Sequence, residues 1–266
     1  MYIVTESKPY KRKYLIKIKT TKKEEEFIIS EDLMVEFRLV KNKELEKETF
    51  LKFKEAFKRD ELYQKVLHYA LYKQRCTYDI EQYLDKKQIF NNNQKYYLDK
   101  LRKTGILDDK SYVQNYVNEA FNYKRYGSQK IIYELTKKHI SKVLYQPEID
   151  KIKEKDYINN IQILFYKKLK SIKNKSMKVA IQNIKQFIIN RGYSYALVNN
   201  VVDNLKYEIE KTVDEDQSLN KDYLIAKKKY SKDKTKEYQN ILAYLLRKGY
   251  TYNKIKKRMG ANYEAD

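Results

Sequence analysis

One apolar pattern recurs four times along this chain of 266 residues. It consists of an isoleucine, a large aliphatic residue four positions later and an apolar residue five positions after that, and successive copies begin 51, 53 and 57 residues apart. Spacing by four predicts the buried side of a helix, and the third residue follows a short turn. Repeats of this length are typical of helical arrays, in which neighbouring units pack because one unit alone buries too little apolar surface. The copies are Ile80, Leu84 and Ile89; Ile131, Leu135 and Ile140; Ile184, Ile188 and Tyr193; and Ile241, Leu245 and Tyr250.

Further helices flank each copy of the pattern. A residue that can cap a helix follows each turn, namely Asn91 or Asn92, Ser141, Ser194 and Thr251. Helical apolar spacing precedes the copies, at residues 66–75, 112–123, 157–169 and 223–230. Each unit is therefore predicted to be helix, helix, tight turn, helix. Only 5 Gly and 2 Pro occur in the chain, and this scarcity favours helices over sheet folds rich in turns.

The N-terminal segment differs from the repeats. Residues 14–19 alternate apolar and polar and residues 27–29 are apolar, which predicts a small β-hairpin. Ser30 is predicted to cap a helix, and another helix is expected from about Lys47 to Phe57. The predicted fold class is all-α, with tandem three-helix repeats in an elongated curved array and a small N-terminal β-hairpin. Predicted domains are residues 1–58 for the hairpin and its helices, and repeats at 59–105, 106–154, 155–212 and 213–266.

Two local features modify this scheme. Pro147 lies in the third helix of the second repeat and is predicted to break or kink it. The acidic segment Asp214-Glu215-Asp216 precedes the fourth copy of the pattern and is interpreted as a link that allows the fourth repeat to move.

Several kinds of catalytic site are not supported by the residues. The five glycines, at 105, 127, 192, 249 and 260, form neither a phosphate-binding loop nor a dinucleotide fingerprint. His68 and His139 fall in different repeats without a ligand set at metal spacing. The single Cys76 excludes an intramolecular disulfide and is interpreted as a helix-start residue, and Asp108-Asp109 as a helix cap. We therefore predict no enzymatic activity, no cofactor and no metal.

The charge of the chain has two interpretations. Lys and Arg total 58 against 36 Asp and Glu, a net charge of +22 that would attract nucleic acid or an acidic partner. Because only nine of these cations are Arg, compositional bias towards Lys, Asn, Ile and Tyr explains the excess equally well. The 28 tyrosines could stack on bases, but most stand at periodic positions that indicate packing. The pairs Lys137-Lys138, Asn190-Arg191 and Arg247-Lys248 all stand immediately before the turn, and this regularity favours binding.

Two stretches carry a resemblance to a known family. Gly105–Tyr112 resembles the G-x-L-D-D-x-x-Y motif of the RecX family, and Gly127–Ile140 resembles its G-x-x-x-I-x-x-E-L-x-x-K-G-I motif. Residues 70–84 are similar to the first repeat of that family, and the N-terminal hairpin and long C-terminal extension to its Gram-positive branch. Gln88 and His139 depart from the pattern because the family commonly has Gly there; Cys76 stands where it often has Ser, and Val113 where it often has Ala.

The resemblance implies a regulator that lies in the groove of the RecA filament on single-stranded DNA. Such a regulator would inhibit the recombinase and ATPase activity of RecA and so modulate homologous recombination, DNA repair and the SOS response. From charge and repeated placement, we predict that the surface for the filament or DNA includes Arg125, Lys130, Lys137, Lys138, Arg191, Arg247 and Lys248.

The sequence also predicts a cellular location and leaves two alternative functions open. No apolar run reaches about 18 residues and the N-terminus lacks a signal-peptide pattern, so we expect a cytoplasmic protein without a membrane partner, and a monomer. One alternative is a direct DNA-binding protein that acts without RecA, through a unit similar to a helix-turn-helix. The other is a scaffold whose charge is only compositional bias.

Overall fold

The computed structural model describes residues 2–21, 23–231 and 236–263. The chain divides into two compact units, Met1–Tyr112 and Val113–Asp266. Each unit has its own buried apolar residues, and the fold is mostly helical with one small N-terminal sheet. The predicted fold class of helical repeats with a β-structured N-terminus is confirmed.

The N-terminal sheet is larger than the predicted hairpin. It consists of β1 (Tyr2–Tyr10), β2 (Lys13–Lys19), β3 (Glu24–Ile29) and β4 (Glu44–Leu45), in the antiparallel order β3-β2-β1-β4. The prediction found β2 and β3 but missed β1, whose residues follow no strict alternation of buried and exposed positions. Helix α1 (Glu31–Glu36) follows, and the Ser30 side chain accepts a hydrogen bond from the Leu33 amide, as predicted.

One long helix replaces two predicted ones. Helix α2 runs without a break from Lys47 to Tyr72, so the predicted boundary between residues 58 and 59 falls inside it. Its first half packs Phe50 and Phe53 against the sheet, whereas its second half packs Val66 and Ala70 against the next helices. The residues between these halves are polar, but they remain helical because no Gly or Pro interrupts the helix. One helix therefore contributes to two separate cores.

The first repeat completes the N-terminal unit. The second half of α2 packs with α3 (Thr77–Asp85) and α4 (Asn92–Lys103) around a core that includes Ile80, Leu84 and Leu101. Cys76 is buried at the N-cap of α3, which confirms its interpretation as a helix-start residue.

The remaining helices repeat this arrangement. They are α5 (Asp109–Asn122), α6 (Ser128–Lys137), α7 (Lys142–Asp150), α8 (Glu154–Leu169), α9 (Met177–Ile189), α10 (Tyr195–Asn204), α11 (Lys206–Thr212), α12 (Glu215–Tyr230), α13 (Glu237–Arg247) and α14 (Tyr252–Tyr263). Apart from Ile89, which is partly exposed, all residues of the recurring apolar pattern are buried. The spacing of the pattern therefore identified the core-facing residues of every repeat.

Two local predictions need correction. Helix α7 continues through Pro147 to Asp150, although proline removes the amide that would bond to the Val143 carbonyl. Of the predicted break or kink, the break is therefore wrong and the kink stays a prediction. The segment 214–216 is not a link, because Asp214 caps α12 by accepting a hydrogen bond from the Gln217 amide at 2.8 Å. Among the described helices, none is both long and apolar enough to cross a membrane.

Candidate functional site

The turn before the third helix has the same backbone conformation in every repeat. Its reversing residue is left-handed, with φ of 61° at Gln88, 57° at His139, 89° at Gly192 and 87° at Gly249. In three of the turns the following amide bonds to a carbonyl five residues back: Ile89 to Leu84 at 3.1 Å, Ile140 to Leu135 at 3.1 Å and Tyr250 to Leu245 at 3.3 Å. This is the Schellman end of a helix. The two non-glycine residues therefore keep the turn that glycine makes elsewhere.

The turn of the third repeat packs on the start of a helix in the second. The Gly127 amide donates to the Arg191 carbonyl at 2.8 Å, and the Gln129 amide donates to the Gly192 carbonyl at 3.1 Å. A Cβ atom on Gly192 would overlap the backbone and Cβ of Lys130, and one on Gly127 would overlap the Gly192 carbonyl. Both positions require glycine because two backbones meet there. The carbonyls also satisfy amides that are left without intrahelical partners at the start of α6.

Two of the predicted cations belong to this junction. The Arg125 guanidinium donates to Oδ1 of buried Asn160 at 2.6 Å, and the Asn160 amide nitrogen donates to the Phe121 carbonyl at 3.2 Å. The Tyr193 hydroxyl donates to the Arg125 carbonyl at 3.2 Å. Arg191 donates through Nη1 to the Lys124 carbonyl at 2.9 Å. Arg125 and Arg191 therefore hold the second and third repeats together.

The turn of the fourth repeat makes the equivalent contact with the third. Ser176, the N-cap of α9, donates through its hydroxyl to the Lys248 carbonyl at 2.7 Å. The Met177 amide donates to the Glu215 carboxylate at 2.8 Å, and that carboxylate also pairs with Lys254. The Lys254 pKa is raised, chiefly by this hydrogen bond with Glu215. Glu215 of the acidic segment thus connects α12 to the start of α9.

Lys248 itself has a carboxylate partner. Its Nζ lies 3.4 Å from Oδ1 of Asp222, whose other oxygen accepts a hydrogen bond from the Tyr250 hydroxyl at 2.9 Å. Partial burial is the largest single effect and acts to lower the Lys248 pKa, but the Asp222 carboxylate and the Tyr244 hydroxyl together raise it above its ordinary value. The backbone and Cβ of Lys130 lie against Gly192. The Lys130 Nζ lies 4.5 Å from the centre of the Tyr126 ring.

The other predicted cations face outwards. Lys137 and Arg247 occupy equivalent positions, at the last residues of α6 and α13, and both side chains are exposed. Lys138 follows at the end of α6 and is half-buried. Of the seven predicted cations, Lys137 and Arg247 are thus the two that are exposed at the last residues of their helices.

Comparisons with known proteins extend over most of the chain. The protein-family sequence model for the second three-helix domain of RecX matches residues 108–146, which include α5, α6 and half of α7. Regulatory protein RecX of Streptococcus agalactiae serotype III (strain NEM316) is 28% identical over 265 residues, covering 96% of this chain and 98% of the relative. Regulatory protein RecX of Enterococcus faecalis (strain ATCC 700802 / V583) is 25% identical and covers 88% of each chain.

A solved structure agrees with these matches. The crystal structure of a regulatory protein RecX superposes with a TM-score of 0.62 and 21% identity, over 76% of this chain and 100% of that chain. The chain is similar to RecX proteins along almost its whole length. The resemblance found in the sequence is thereby confirmed, and the chain is a regulator of the RecX type.

The residues considered for catalysis have structural roles in this chain. Asp108 accepts hydrogen bonds from the Lys110 amide at 2.9 Å and the Ser111 hydroxyl at 2.5 Å, and chiefly the latter lowers its pKa. Asp109 accepts from the Thr77 amide at 2.7 Å. His68 is exposed on α2 and His139 forms a turn. Among the described residues, no group of three His, Cys, Asp or Glu could hold a metal ion.

The sequence predictions missed one cationic surface. Lys8, Lys11, Arg12 and Lys13 stand at the end of the β1–β2 hairpin, where only the strand alternation at residues 14–19 had drawn notice. The sequence did contain a signal for this surface, because these four cations fall within six consecutive residues.

Proposed function

We propose that this protein regulates RecA by binding the RecA filament on single-stranded DNA and inhibiting its recombinase and ATPase activity. Similarity along almost the whole chain to relatives named as regulatory proteins supports regulation itself. The single observation that carries the choice of surface is the equivalent placement of exposed Lys137 and Arg247 on turns of one conformation. A filament is a periodic partner, and equivalent cations on the second and fourth repeats are suited to equivalent acidic positions along it.

Within this proposal, the predicted cations have two roles. Lys137, Lys138 and Arg247 would contact the filament or its DNA, because their side chains stand at the outer ends of helices. Arg125, Lys130, Arg191 and Lys248 would act mainly by packing the repeats, since each already contacts a neighbouring side chain or backbone group.

Hydrolysis of ATP by RecA tests the proposal. The cognate RecA would be assembled on single-stranded DNA and its ATP hydrolysis followed as the full-length chain is added. We expect inhibition at or below the stoichiometry of RecA, with DNA binding of the chain alone measured in parallel. Unchanged hydrolysis together with tight binding to bare DNA would reject filament regulation.

A second candidate is a DNA-binding protein that acts without RecA. The observation in its favour is the exposure of Tyr195 and Tyr252, the first residues of α10 and α14, with 70% and 51% of their surfaces accessible. In a helix-turn-helix, the first residues of the second helix contact the DNA. This candidate expects binding to duplex DNA without RecA, with affinity that falls steeply as salt increases.

A further inference from the structure

The β1–β2 hairpin ends in a cluster of cations that the helical repeats do not involve. Lys8, Lys11, Arg12 and Lys13 fall within six residues, and the sequence from Ser7 to Lys23 contains no Asp or Glu. Lys8, Lys11 and Arg12 are exposed, and Lys11 forms the turn with φ of 56°. We call residues 8–13 the hairpin tip.

The hairpin tip extends past the neighbouring strands. Strand β3 pairs with β2 only as far as Tyr14, and β4 pairs with β1 only at Tyr2 and Ile3. On the β3 side only the pair of Tyr10 with Lys13 and the turn lie beyond these points, whereas on the β4 side the described ladder continues within the hairpin alone up to Tyr10. Lys11 and Arg12 at the turn are exposed, so their side chains are available for an external ligand.

The charge along the hairpin is balanced at its base. Glu6 pairs with Lys8 at 2.6 Å and with Lys17 at 3.0 Å, and hydrogen bonds first with Lys8 and then with Lys17 lower its pKa. Glu26 stands opposite Lys17, and Glu24 opposite Lys19. Glu6 is the carboxylate nearest in sequence to the tip, and both of its oxygens already face lysines. The tip therefore carries an excess of positive charge.

The tip continues into a groove with basic and aromatic side chains. Lys13 lines a cavity of about 390 Å³ together with Lys65 and His68 of α2 and Tyr83 of α3; Glu61 and Gln64 complete the lining. The Tyr83 ring stacks on Tyr69 with 4.3 Å between ring centres. At the tip, Tyr10 is 41% exposed and Lys11 Nζ lies 5.7 Å from the centre of its ring.

We propose that the hairpin tip and this groove bind single-stranded nucleic acid directly, through its phosphodiester backbone. Cations that follow a chain of phosphates, beside an exposed aromatic ring on which a base can stack, are the chemistry of single-strand binding, and Tyr10 is the exposed ring at the tip. Addition of a peptide strand fits the tip less well, since Pro9 has no amide to donate and charged edges resist pairing. The inference extends the proposed function, because it assigns contact with DNA to a surface other than the repeat turns.

The test compares two full-length variants with equal loss of charge. The tip variant carries Lys11→Asn, Arg12→Gln and Lys13→Gln, in which asparagine suits the left-handed turn. The control carries Lys47→Gln, Lys58→Gln and Lys103→Gln, three exposed positions in the same unit. Binding of a fluorescent single-stranded oligothymidylate would be followed by anisotropy without RecA, from about 50 to about 200 mM salt.

We expect the tip variant to bind at least about tenfold more weakly at low salt, and its logarithmic salt slope to fall by about 2, the value for three lost contacts with single-stranded phosphates. The control should retain most of the affinity, and both variants should keep the helical circular dichroism of the parent. Equal affinities for the two variants, or tighter binding to duplex than to single strand, would overturn the inference. Because RecA is absent, failure here leaves the ATPase test of the proposed function unaffected.

Discussion

Gly127 and Gly192 lie so close together that a Cβ atom on Gly127 would overlap the carbonyl group of Gly192. The contact joins the start of α6 to the turn before α10 and is closed by a 2.8 Å hydrogen bond from the Gly127 amide to the Arg191 carbonyl. Main-chain atoms on both sides cannot move apart without losing that bond. The junction between the second and third repeats is therefore determined by backbone contact, and cationic side chains surround it.

Alanine at Gly127 should separate the effect of close approach from that of backbone conformation. Gly127 has φ of −75°, which alanine adopts without strain, so the variant loses stability only through overlap with Gly192. We expect Gly127→Ala to cost about 2 kcal/mol or more, within the range for overpacking. Gly105→Ala is the control, because Gly105 has φ of 70° but no atom within 4 Å of an added Cβ. It should cost about 1 kcal/mol, the conformational term alone. Urea unfolding measures both; a smaller loss at Gly127 than at Gly105 would contradict the close contact.

Replacement of Asn160 should destabilise the same junction through its polar groups. Asn160→Leu leaves the Arg125 guanidinium and the Phe121 carbonyl without a buried partner, at a cost of about 1–3 kcal/mol. The matched control is Asn200→Ala, an exposed asparagine whose side chain bonds only along its own helix in the described contacts. Thermal unfolding would compare the two variants, and equal melting temperatures would show that the Arg125–Asn160 pair contributes nothing.

Tyr193 should make the C-terminal unit sensitive to alkaline pH. Burial raises the Tyr193 pKa far above its ordinary value of 10.0. In a group whose pKa is raised by folding, the stabilisation is complete below the unfolded pKa and is lost as pH rises above it, by at most about 1.4 kcal/mol per pH unit. Stability should therefore decline above about pH 10, and Tyr193→Phe should decline less steeply although it loses the bond to the Arg125 carbonyl at neutral pH.

The control for this pH dependence is Tyr195→Phe, since the Tyr195 side chain is 70% exposed. Melting temperatures between about pH 7 and about pH 11 would be compared for the parent and both variants. The prediction fails if the parent and Tyr193→Phe lose stability with the same slope.

Neutralisation of the outward-facing turn cations should weaken inhibition of RecA. In Lys137→Gln with Arg247→Gln, two charges are removed from the ends of α6 and α13 without placing a carboxylate at the negative end of a helix dipole. We expect the concentration that gives half-inhibition of RecA ATP hydrolysis to rise about tenfold, equivalent to about 1.4 kcal/mol. The control, Lys155→Gln with Lys206→Gln, changes two exposed lysines near the starts of α8 and α11. Equal inhibition by the two double variants would exclude the turns as the contact surface.

Much of the secondary structure followed from local chemistry. The recurring pattern of Ile131, Leu135 and Ile140 marked core positions because a helix places every fourth residue on the same side. Helix caps such as Ser194 were also predicted correctly, because a cap depends only on residues within three positions of it. The strand β1 and the continuity of α2 were missed, because strand pairing and packing on two separate cores are not local properties.

The sequence by itself determined the repeats, their core residues, their turns and the family resemblance, all of which depend on residues close together in the chain. Only the tertiary structure decided what each cation does. Arg125 and Arg191 bond to groups 35 and 67 residues away, whereas Lys137 and Arg247 face outwards. The exposure of the hairpin tip likewise depends on where β3 and β4 stop pairing. Charge is written in the sequence, but its availability to a partner depends on contacts between residues that only folding brings together.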